Sequence, residues 1–466
     1  MDRRGKNRMQ KTLLWKIALI LLVGALLQVP LEMVRGLVVE RKSLRDGVVA
    51  DIGRSSSEPQ RLAGPVLYVP WTRRSVEATT ITDDSGQTRT AKKERLEHGH
   101  VALLPDTLAI EGAIDLQEKH RGIYKAHVYT LRATLRGSFT LAPGLGIPEG
   151  RGILEWGRAQ LVLGVLDTRG IREPVGIDWN GVHPPLHPGG LDAAALPNGI
   201  HADLGALAAT TAKTPTTYDF RISLTLLGTE RLDIVPVGAT TTVALGSKWP
   251  HPSFGGRLLP DPGTTIGPEG FAAHWRASHF ATNLAQTYER CLRSRQCEPF
   301  NNHTLAISFF QPVDLYHTVE RSLKYGFLFI GLTFAAFFLF ETLGRLAIHP
   351  LQYALVGIAL AVFFLLLISL SEHVGFLAAY AIAAGACVAL LAYYVGHVLR
   401  SAPLGALFGA ALALLYCLLY VLLRSEDHAL LMGSLVVFAC LAAAMIATRK
   451  VDWYAVGAPA AAGKAA

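Results

Sequence analysis

Charged residues are scarce in this sequence. Asp, Glu, Lys and Arg together make up 17% of the 466 residues, whereas a soluble globular protein carries roughly 25%. Most of the deficit lies in the last third of the chain, where five long apolar stretches are separated by short turns with few charges. The scarcity excludes an entirely soluble protein and indicates a membrane-embedded C-terminal part.

Three motifs that carry well-known chemistry are also missing. The sequence contains no G-x-x-x-x-G-K-[ST] phosphate loop, no H-E-x-x-H zinc motif and no G-x-S-x-G nucleophile elbow. These absences leave no complete catalytic constellation and give no reason to predict a cofactor or a metal. They favour a protein that is not an enzyme.

The apolar stretches have the length of membrane spans. A helix needs about 20 residues to cross about 30 Å of hydrocarbon, and backbone groups that meet no water there must pair within a helix. We predict a six-span helical bundle with a large β-rich, sandwich-like α+β domain, residues 35–322, between the first two spans. The predicted spans are 12–34, 323–341, 351–370, 374–395, 403–423 and 429–448.

The basic residues predict the orientation of these spans. Loops that the six-span order places inside carry more Lys and Arg than those outside, as the positive-inside rule requires. Residues 1–11 and 449–466 are therefore predicted to be cytoplasmic, and the domain is predicted to be translocated. Six positive charges precede the first apolar core: Arg3, Arg4, Lys6, Arg8, Lys11 and Lys16.

The same basic flank explains much of the net charge of +8. We therefore predict the bilayer as a partner and no nucleic acid. A short apolar core after a basic flank also describes a cleaved signal peptide. The absence of a small-x-small cleavage site after it favours an uncleaved anchor.

The translocated part has the pattern of a β-rich domain. It is rich in Gly, Pro and Thr and has no long apolar run. An amphipathic helix is predicted from Leu37 to Ile52, a second helix over 271–295, and a long surface loop over 183–216. Short segments bounded by turn residues predict strands at 64–70, 124–131, 159–166, 218–226, 231–237 and 241–246.

The five cysteines fall into two groups. Cys291 and Cys297 lie in the translocated region and are candidates for a disulfide in an oxidising compartment. The alternative is two unpaired thiols on a helix that continues past Arg295. The other three lie within predicted spans, where a free cysteine behaves as a small apolar residue: Cys387, Cys417 and Cys440.

Polar residues at span ends are candidate functional residues, because polar groups within spans are costly. Glu341, Arg345 and His349 are spaced at i, i+4 and i+8, which places them on one face if the helix continues as far as Pro350. They could form a proton path or a catalytic site. The alternative is an ion pair that fixes the depth of the helix.

Glu372 and His373 form a second candidate cluster. They suggest a base or metal ligands, but adjacent residues on a helix point in different directions. The predicted topology places them roughly 30 Å from Glu341 and His349, so no single metal site joins the two clusters. A zinc site that also includes His428 is a weaker alternative, and no metal is predicted.

Two R-G-I elements lie in the translocated domain, at 121–123 and 169–171. A glycine turn between strands with a paired arginine explains both. The alternative is a ligand or partner surface, for which Arg121, Asp167 and Arg169 are the candidate residues.

Longer motifs resemble the CreD family of bacterial inner-membrane proteins. They are KYGFLFIGLTF at 324–334, FFLFE at 337–341, IHPLQY at 348–353, SLSEH at 369–373, RGIY at 121–124 and WPHPSF at 249–254. The resemblance covers nearly the whole chain. It implies a role in cell envelope integrity and in cell-wall stress, including β-lactam stress, under the CreB–CreC two-component system. It implies no catalytic residue.

Three hypotheses about function follow. The first is a non-enzymatic inner-membrane protein for envelope integrity, whose periplasmic domain binds an envelope component or a protein partner in the periplasm or inner membrane. The second is a transporter or channel accessory for lipid or small molecules. The third is an intramembrane enzyme that uses Glu341 with Arg345 or His349.

Overall fold

The structure, a computed structural model, describes residues 3–82, 88–148, 150, 152–172, 175–190, 196, 198–309, 315–344, 348–424 and 429–449. The chain divides into two compact units. Asp46–Pro312 forms the β-rich unit. Met1–Arg45 and Val313–Ala466 together form the helical unit.

The predicted apolar helices are present. In chain order the helices are α1 Arg3–Leu26, α2 Gln28–Ser55, α3 His279–Thr282, α4 Leu284–Ser294, α5 Glu298–Asn301, α6 Leu315–Gly344, α7 Pro350–Val374, α8 Phe376–Val398, α9 Ala402–Arg424 and α10 Ala429–Thr448. Among the described residues, five segments are long and apolar enough to cross a membrane. These are Trp15–Ser55, Leu315–Glu341, Pro350–Val374, Phe376–Val398 and Ala402–Arg424, with a shorter apolar helix at Leu431–Ile446.

Helix α2 continues well beyond the first apolar segment. Only Leu27 separates α1 from α2, and its N–H still donates to the carbonyl of Val23 at 3.0 Å. The amphipathic helix predicted from Leu37 is confirmed as the continuation of α2 to Ser55. The predicted domain limits, 35 and 322, fall inside α2 and α6, because charged side chains on an exposed helix face do not interrupt the backbone hydrogen bonds.

Glycines let α8 and α9 approach closely. A Cβ at Gly405 would lie 2.5 Å from the Cα of Gly396 and 2.8 Å from the carbonyl oxygen of Ala392. Backbone atoms cannot move aside as a flexible side chain can. Small residues at such contacts are typical of helices that associate in membranes, where packing rather than water exclusion holds helices together.

We expect Gly405→Ala to separate α8 from α9 and to cost about 1–3 kcal/mol, as overpacking does elsewhere. SDS titration of the purified protein in mixed micelles measures the loss. Gly385→Ala in α8 is the matched control, because a Cβ there meets nothing within 4 Å. Equal stability of the two variants would show that this close approach does not hold the helices together.

The β-rich unit contains long hairpins and many shorter strands. The strands are β1 Gln60–Thr82, β2 Thr88–Leu103, β3 Thr107–Arg121, β4 Tyr124–Leu141, β5 Ile153–Trp156, β6 Ala159–Val165, β7 Gly176–Trp179, β8 Leu186–Pro188, β9 Gly199–Gly205, β10 Thr216–Thr229, β11 Arg231–Val235, β12 Thr240–Ser247, β13 Ser253–Gly256, β14 Thr265–Gly267, β15 Gly270–Ser278 and β16 Leu305–Ser308. All six strands named from the sequence coincide with observed strands, at β1, β4, β6, β10, β11 and β12.

These strands form two sheets that share one core. The larger sheet has the order β13-β16-β11-β1-β6-β9-β8, and β2 and β5 also pair with β1. The smaller has the order β14-β15-β12-β3-β4-β10-β7. One hydrophobic cluster includes Leu62 and Val162 from the larger sheet and Leu135 and Val243 from the smaller. Alternating side chains of each sheet thus face a common interior, and the predicted β-rich domain is confirmed.

Two local predictions in this unit are wrong. Residues 271–278, predicted as the start of a helix, form strand β15, in which Phe271, Ala273 and Trp275 are buried at every second position. The helix was predicted because this segment contains almost no Gly or Pro. The alternation of buried and exposed residues is the stronger signal, and it indicates a strand. The predicted loop over 183–216 contains strands β8 and β9, which pair with each other; β9 also extends the larger sheet beside β6.

Candidate functional sites

Glu341 is a buried carboxylate in the helical unit. It lies near the C-terminal end of α6, and its side chain is 6% exposed. Lys16 of α1 forms an ion pair with Oε1. The N–H of Ile348 donates to the same oxygen at 3.0 Å, and the hydroxyl of Tyr353 in α7 donates to Oε2 at 2.8 Å. These contacts join α1, α6 and α7, because a buried carboxylate is stable only with such partners.

The prediction that Glu341, Arg345 and His349 lie on one face of the same helix is wrong for His349. Helix α6 is described as far as Gly344, and Arg345 lies outside the described residues. The backbone of His349 is extended, with φ −77° and ψ 140°. The reason is Pro350, whose ring disfavours the helical conformation for the preceding residue. His349 instead caps α7, since its Nδ1 accepts the N–H of Leu351 at 3.2 Å.

Glu372 is a second buried carboxylate of the helical unit, near the end of α7. Its side chain is 8% exposed, and Nη1 of Arg41 in α2 lies 3.9 Å from Oε2. The hydroxyl of Tyr316 in α6 donates to Oε1 at 3.1 Å. His373 points elsewhere, as expected for the next residue on a helix: it is exposed, and its Nδ1 lies 3.1 Å from the carbonyl oxygen of Ser369.

The two buried carboxylates pair with basic residues that are far apart on the N-terminal helices. Lys16 and Arg41 are separated by 25 residues, or about 37 Å of helix at 1.5 Å per residue. This length is close to the hydrocarbon thickness plus part of each interface. Within the described part of the chain, no three His, Cys, Asp or Glu residues are grouped to hold a metal ion.

Arg121 and Arg169, the arginines of the two R-G-I elements, hold the end of α2 within the β-rich unit. Arg121, the last residue of β3, forms an ion pair with Asp51 of α2. Nη1 of Arg169 donates to the carbonyl of Arg54 at 2.7 Å. Carbonyls in the last turn of a helix have no partner inside that helix. We call these four residues together with Asp167 the α2 clamp.

Asp167 is the centre of the clamp. Its carboxylate accepts from Nε and Nη2 of Arg169, both at 2.9 Å, and from the N–H of Glu58 at 3.0 Å. The buried side chain of Gln60 donates to the carbonyl of Asp167 at 2.8 Å and accepts its N–H at 3.2 Å. Burial raises the pKa of Asp167, but hydrogen bonds from Arg169 and Glu58 outweigh it, so the pKa lies below its ordinary value.

Apolar contacts support the clamp on another face of α2. Ile52 packs in a small cluster with Ala126 and Val128 of β4. Val48, Val49 and Leu227 lie against the same cluster. The end of α2 is therefore fixed by ion pairs, a capped carbonyl and buried side chains together.

Cys291 and Cys297 are joined in a disulfide in the β-rich unit. Both are buried. Cys291 lies in α4 and Cys297 precedes α5, so the bond links these two short helices. The rings of Tyr288 and Phe300 pack beside it with their centroids 5.0 Å apart.

Sequence reasoning missed the partners of the buried carboxylates. Lys16 was counted only among the positive charges before the first apolar core, and Arg41 lies unremarked within the predicted amphipathic helix. Tyr316 and Tyr353 carried no signal, because an aromatic residue near a span end is ordinary. The position of Lys16, directly before the first apolar core, was the available signal. A charge buried there needs a counter-ion, so it predicts an acidic partner on another helix.

Comparisons with known proteins agree over nearly the whole chain. The model of the family described as "Inner membrane protein CreD" matches residues 12–454. The Inner membrane protein CreD of Escherichia coli (strain K12) is 35% identical over 456 residues. That alignment covers 97% of this chain and 96% of the Escherichia coli protein.

Proposed function

Because this chain belongs to the CreD family of inner membrane proteins, we propose that it maintains the cell envelope under cell-wall stress, without catalysing a reaction. The β-rich unit binds an envelope component or a protein partner in the periplasm. The helical unit anchors it in the inner membrane.

In this proposal the chain crosses the membrane six times, and the β-rich unit lies in the periplasm between spans one and two. The five long apolar segments supply five crossings and α10, a helix of 20 residues, supplies the sixth. Both termini are then cytoplasmic, in agreement with the basic N-terminal flank. The Cys291–Cys297 disulfide supports an oxidising compartment for the β-rich unit.

The α2 clamp is the observation that supports this function most directly. A flexible tether would let an exported domain move freely, whereas here a continuous helix, Gln28–Ser55, ends inside the β-rich unit and is held there. The backbone of α2 therefore connects the first apolar segment to the β-rich unit without a flexible linker. Binding of an envelope partner to the β-rich unit would then be transmitted along α2 to the first span.

A flexible insertion tests the role of this helix. Five Gly and Ser residues inserted after Arg45 should abolish rescue of a deletion strain under β-lactam stress while the protein accumulates normally. The same insertion after Gly263, in an exposed loop, should rescue fully. Full rescue by the first variant would refute the coupling, and capture of partners by photo-crosslinking from the β-rich unit identifies what is bound.

Cysteine labelling checks the topology. In a background with Cys387, Cys417 and Cys440 replaced by Ala, we expect Lys213→Cys, at an exposed position of the β-rich unit, to react with an impermeant maleimide in cells with a permeable outer membrane. Lys464→Cys should react only after lysis. Labelling of Lys464→Cys in intact cells would require an odd number of spans.

A further inference from the structure

The outer face of the seven-stranded sheet carries an open groove of about 680 Å³. This volume lies within the range of small-molecule sites. Its lining residues come from four strands and the turn after β7: Thr107, Arg136, Gly137, Ser138, Asp178, Asn180, Gly181, Asp219, Phe220 and Arg221. The face is polar because alternate side chains of β4 and β10 point away from the core.

Two arginines meet directly in this groove. Arg136 on β4 is the register partner of Arg221 on β10, and like charges opposite each other destabilise a sheet. Arg136 forms a long ion pair with Glu111, in which Nη2 lies 3.7 Å from Oε2. Arg221 forms no ion pair within 4.0 Å in the described part of the chain, although Asp178 on β7 is its register partner on the other side. A bound anion between the two guanidinium groups would relieve the repulsion.

The wall beside Arg221 is fixed before any ligand arrives. The N–H of Gly181 donates to Oδ1 of Asp178 at 2.7 Å, and the N–H of Asp219 donates to Oδ1 of Asn180 at 2.7 Å. Asn180 takes a left-handed conformation with φ 49° to make this turn. The turn thus places a carboxylate and an amide at defined positions, which lowers the ordering cost of binding.

The backbone beneath the groove is tightly packed on its core side. Gly137 separates Arg136 from Ser138, and a Cβ there would lie 1.9 Å from the carbonyl oxygen of Thr107 and 2.8 Å from the ring of Phe220. A side chain at this position would therefore disrupt the sheet. The hydroxyls of Thr107 and Ser138, whose oxygens are 2.9 Å apart, lie on the opposite face of the sheet and line the groove.

We propose that this groove binds an oxyanion, a carboxylate or phosphate, on a hydroxyl-bearing envelope molecule. Arg136 and Arg221 bind the anion, since guanidinium groups match the geometry of both carboxylate and phosphate. Asp219 and the hydroxyls of Thr107 and Ser138 bind the polar remainder of the molecule. The proposal names the ligand class of the β-rich unit and rests on the proposed function.

Binding of two charged probes tests the site in the full chain in lipid nanodiscs. N-acetylmuramic acid supplies a carboxylate and glycerol 1-phosphate a phosphate, while N-acetylglucosamine is the uncharged control. We expect saturable binding of one or both charged probes by titration NMR, with the preferred probe identifying the source, and none of the control sugar. Absence of binding by both charged probes would overturn the proposal.

Variants assign the binding to the groove. Arg136→Ala combined with Arg221→Ala should weaken binding at least tenfold, with an unfolding midpoint close to that of the parent, because the repulsion between the arginines is lost together with their attraction to Glu111 and Asp178. Arg132→Ala is the matched control: Arg132 is exposed on the same strand, four residue pairs from the Arg136–Arg221 pair, and opposite Thr225. Equal weakening by the control would place the binding elsewhere and overturn the proposal.

The two proposals can fail separately. If the probes do not bind while the insertion after Arg45 abolishes rescue, the groove is wrong and the anchored envelope role stands. If the probes bind in the groove while that insertion rescues fully, the coupling through α2 is wrong and the oxyanion site stands.

Discussion

Replacing Lys16 with alanine should reduce the free energy of unfolding by about 3–5 kcal/mol, the cost of leaving one member of a buried ion pair alone. The Glu341 side chain is 6% exposed and cannot regain water. Its other partners among the described residues, Ile348 and Tyr353, are uncharged donors at 3.0 and 2.8 Å. SDS titration in mixed micelles measures the loss, and the protein level in membranes should fall with it.

A double-mutant cycle separates the ion pair from the bulk of the lysine stem. Lys16→Met with Glu341→Gln should recover most of the loss, because a buried pair replaced by neutral groups is often harmless. Lys324→Ala is the control for an exposed pair: Lys324 is 61% exposed and lies 3.8 Å from Glu320. Exposed pairs contribute about 0–1 kcal/mol. Equal losses for Lys16→Ala and Lys324→Ala would refute the burial argument.

The helical unit was the more predictable part of the fold. Its helices follow from segment length and hydropathy alone, and α7 to α10 lie within a few residues of the predicted spans. The β-rich unit was predicted only as a class. Strands such as β10 show clean alternation, but the order of strands depends on contacts far apart in the chain, such as β1 with β11 in parallel. A local pattern does not encode such pairings.

The candidate residues show the same division. Glu341 and Glu372 were identified because a charge near an apolar helix is conspicuous, while their partners Lys16 and Arg41 lie over 300 residues away in sequence. His349 was misassigned because spacing alone ignores the conformational effect of Pro350. For Arg169 the explanation by a paired arginine agrees with the structure, although its contact with α2 had no sequence signal.

The α2 clamp makes the β-rich unit sensitive to the charge of Asp167. Asp167→Asn should destabilise this unit by about 2–4 kcal/mol, because the charged carboxylate accepts several hydrogen bonds that contribute about 1.5–3 kcal/mol each, and a neutral amide replaces only part of them. Five of the seven tryptophans, Trp71, Trp156, Trp179, Trp249 and Trp275, lie in this unit. Tryptophan fluorescence during urea titration of the full chain therefore reports on it.

The pH dependence distinguishes loss of charge from loss of shape. The pKa of Asp167 is lowered in the folded protein, so its contribution is complete above the unfolded value of about 3.9. It is lost as the pH falls below 4 through the folded pKa. The stability difference between parent and Asp167→Asn should therefore be largest near pH 6 and should shrink steadily below pH 4.

Asp203→Asn is the matched control for this effect. Asp203 also pairs with an arginine, with Nε of Arg158 2.7 Å from Oδ2, and its pKa is lowered by that hydrogen bond. Arg158 is 73% exposed, however, and neither residue touches α2. Its replacement should change stability much less and leave rescue under β-lactam stress intact. If Asp167→Asn were equally mild, the end of α2 would be held by its apolar contacts, and the polar clamp would not be what fixes this end of the helix within the β-rich unit.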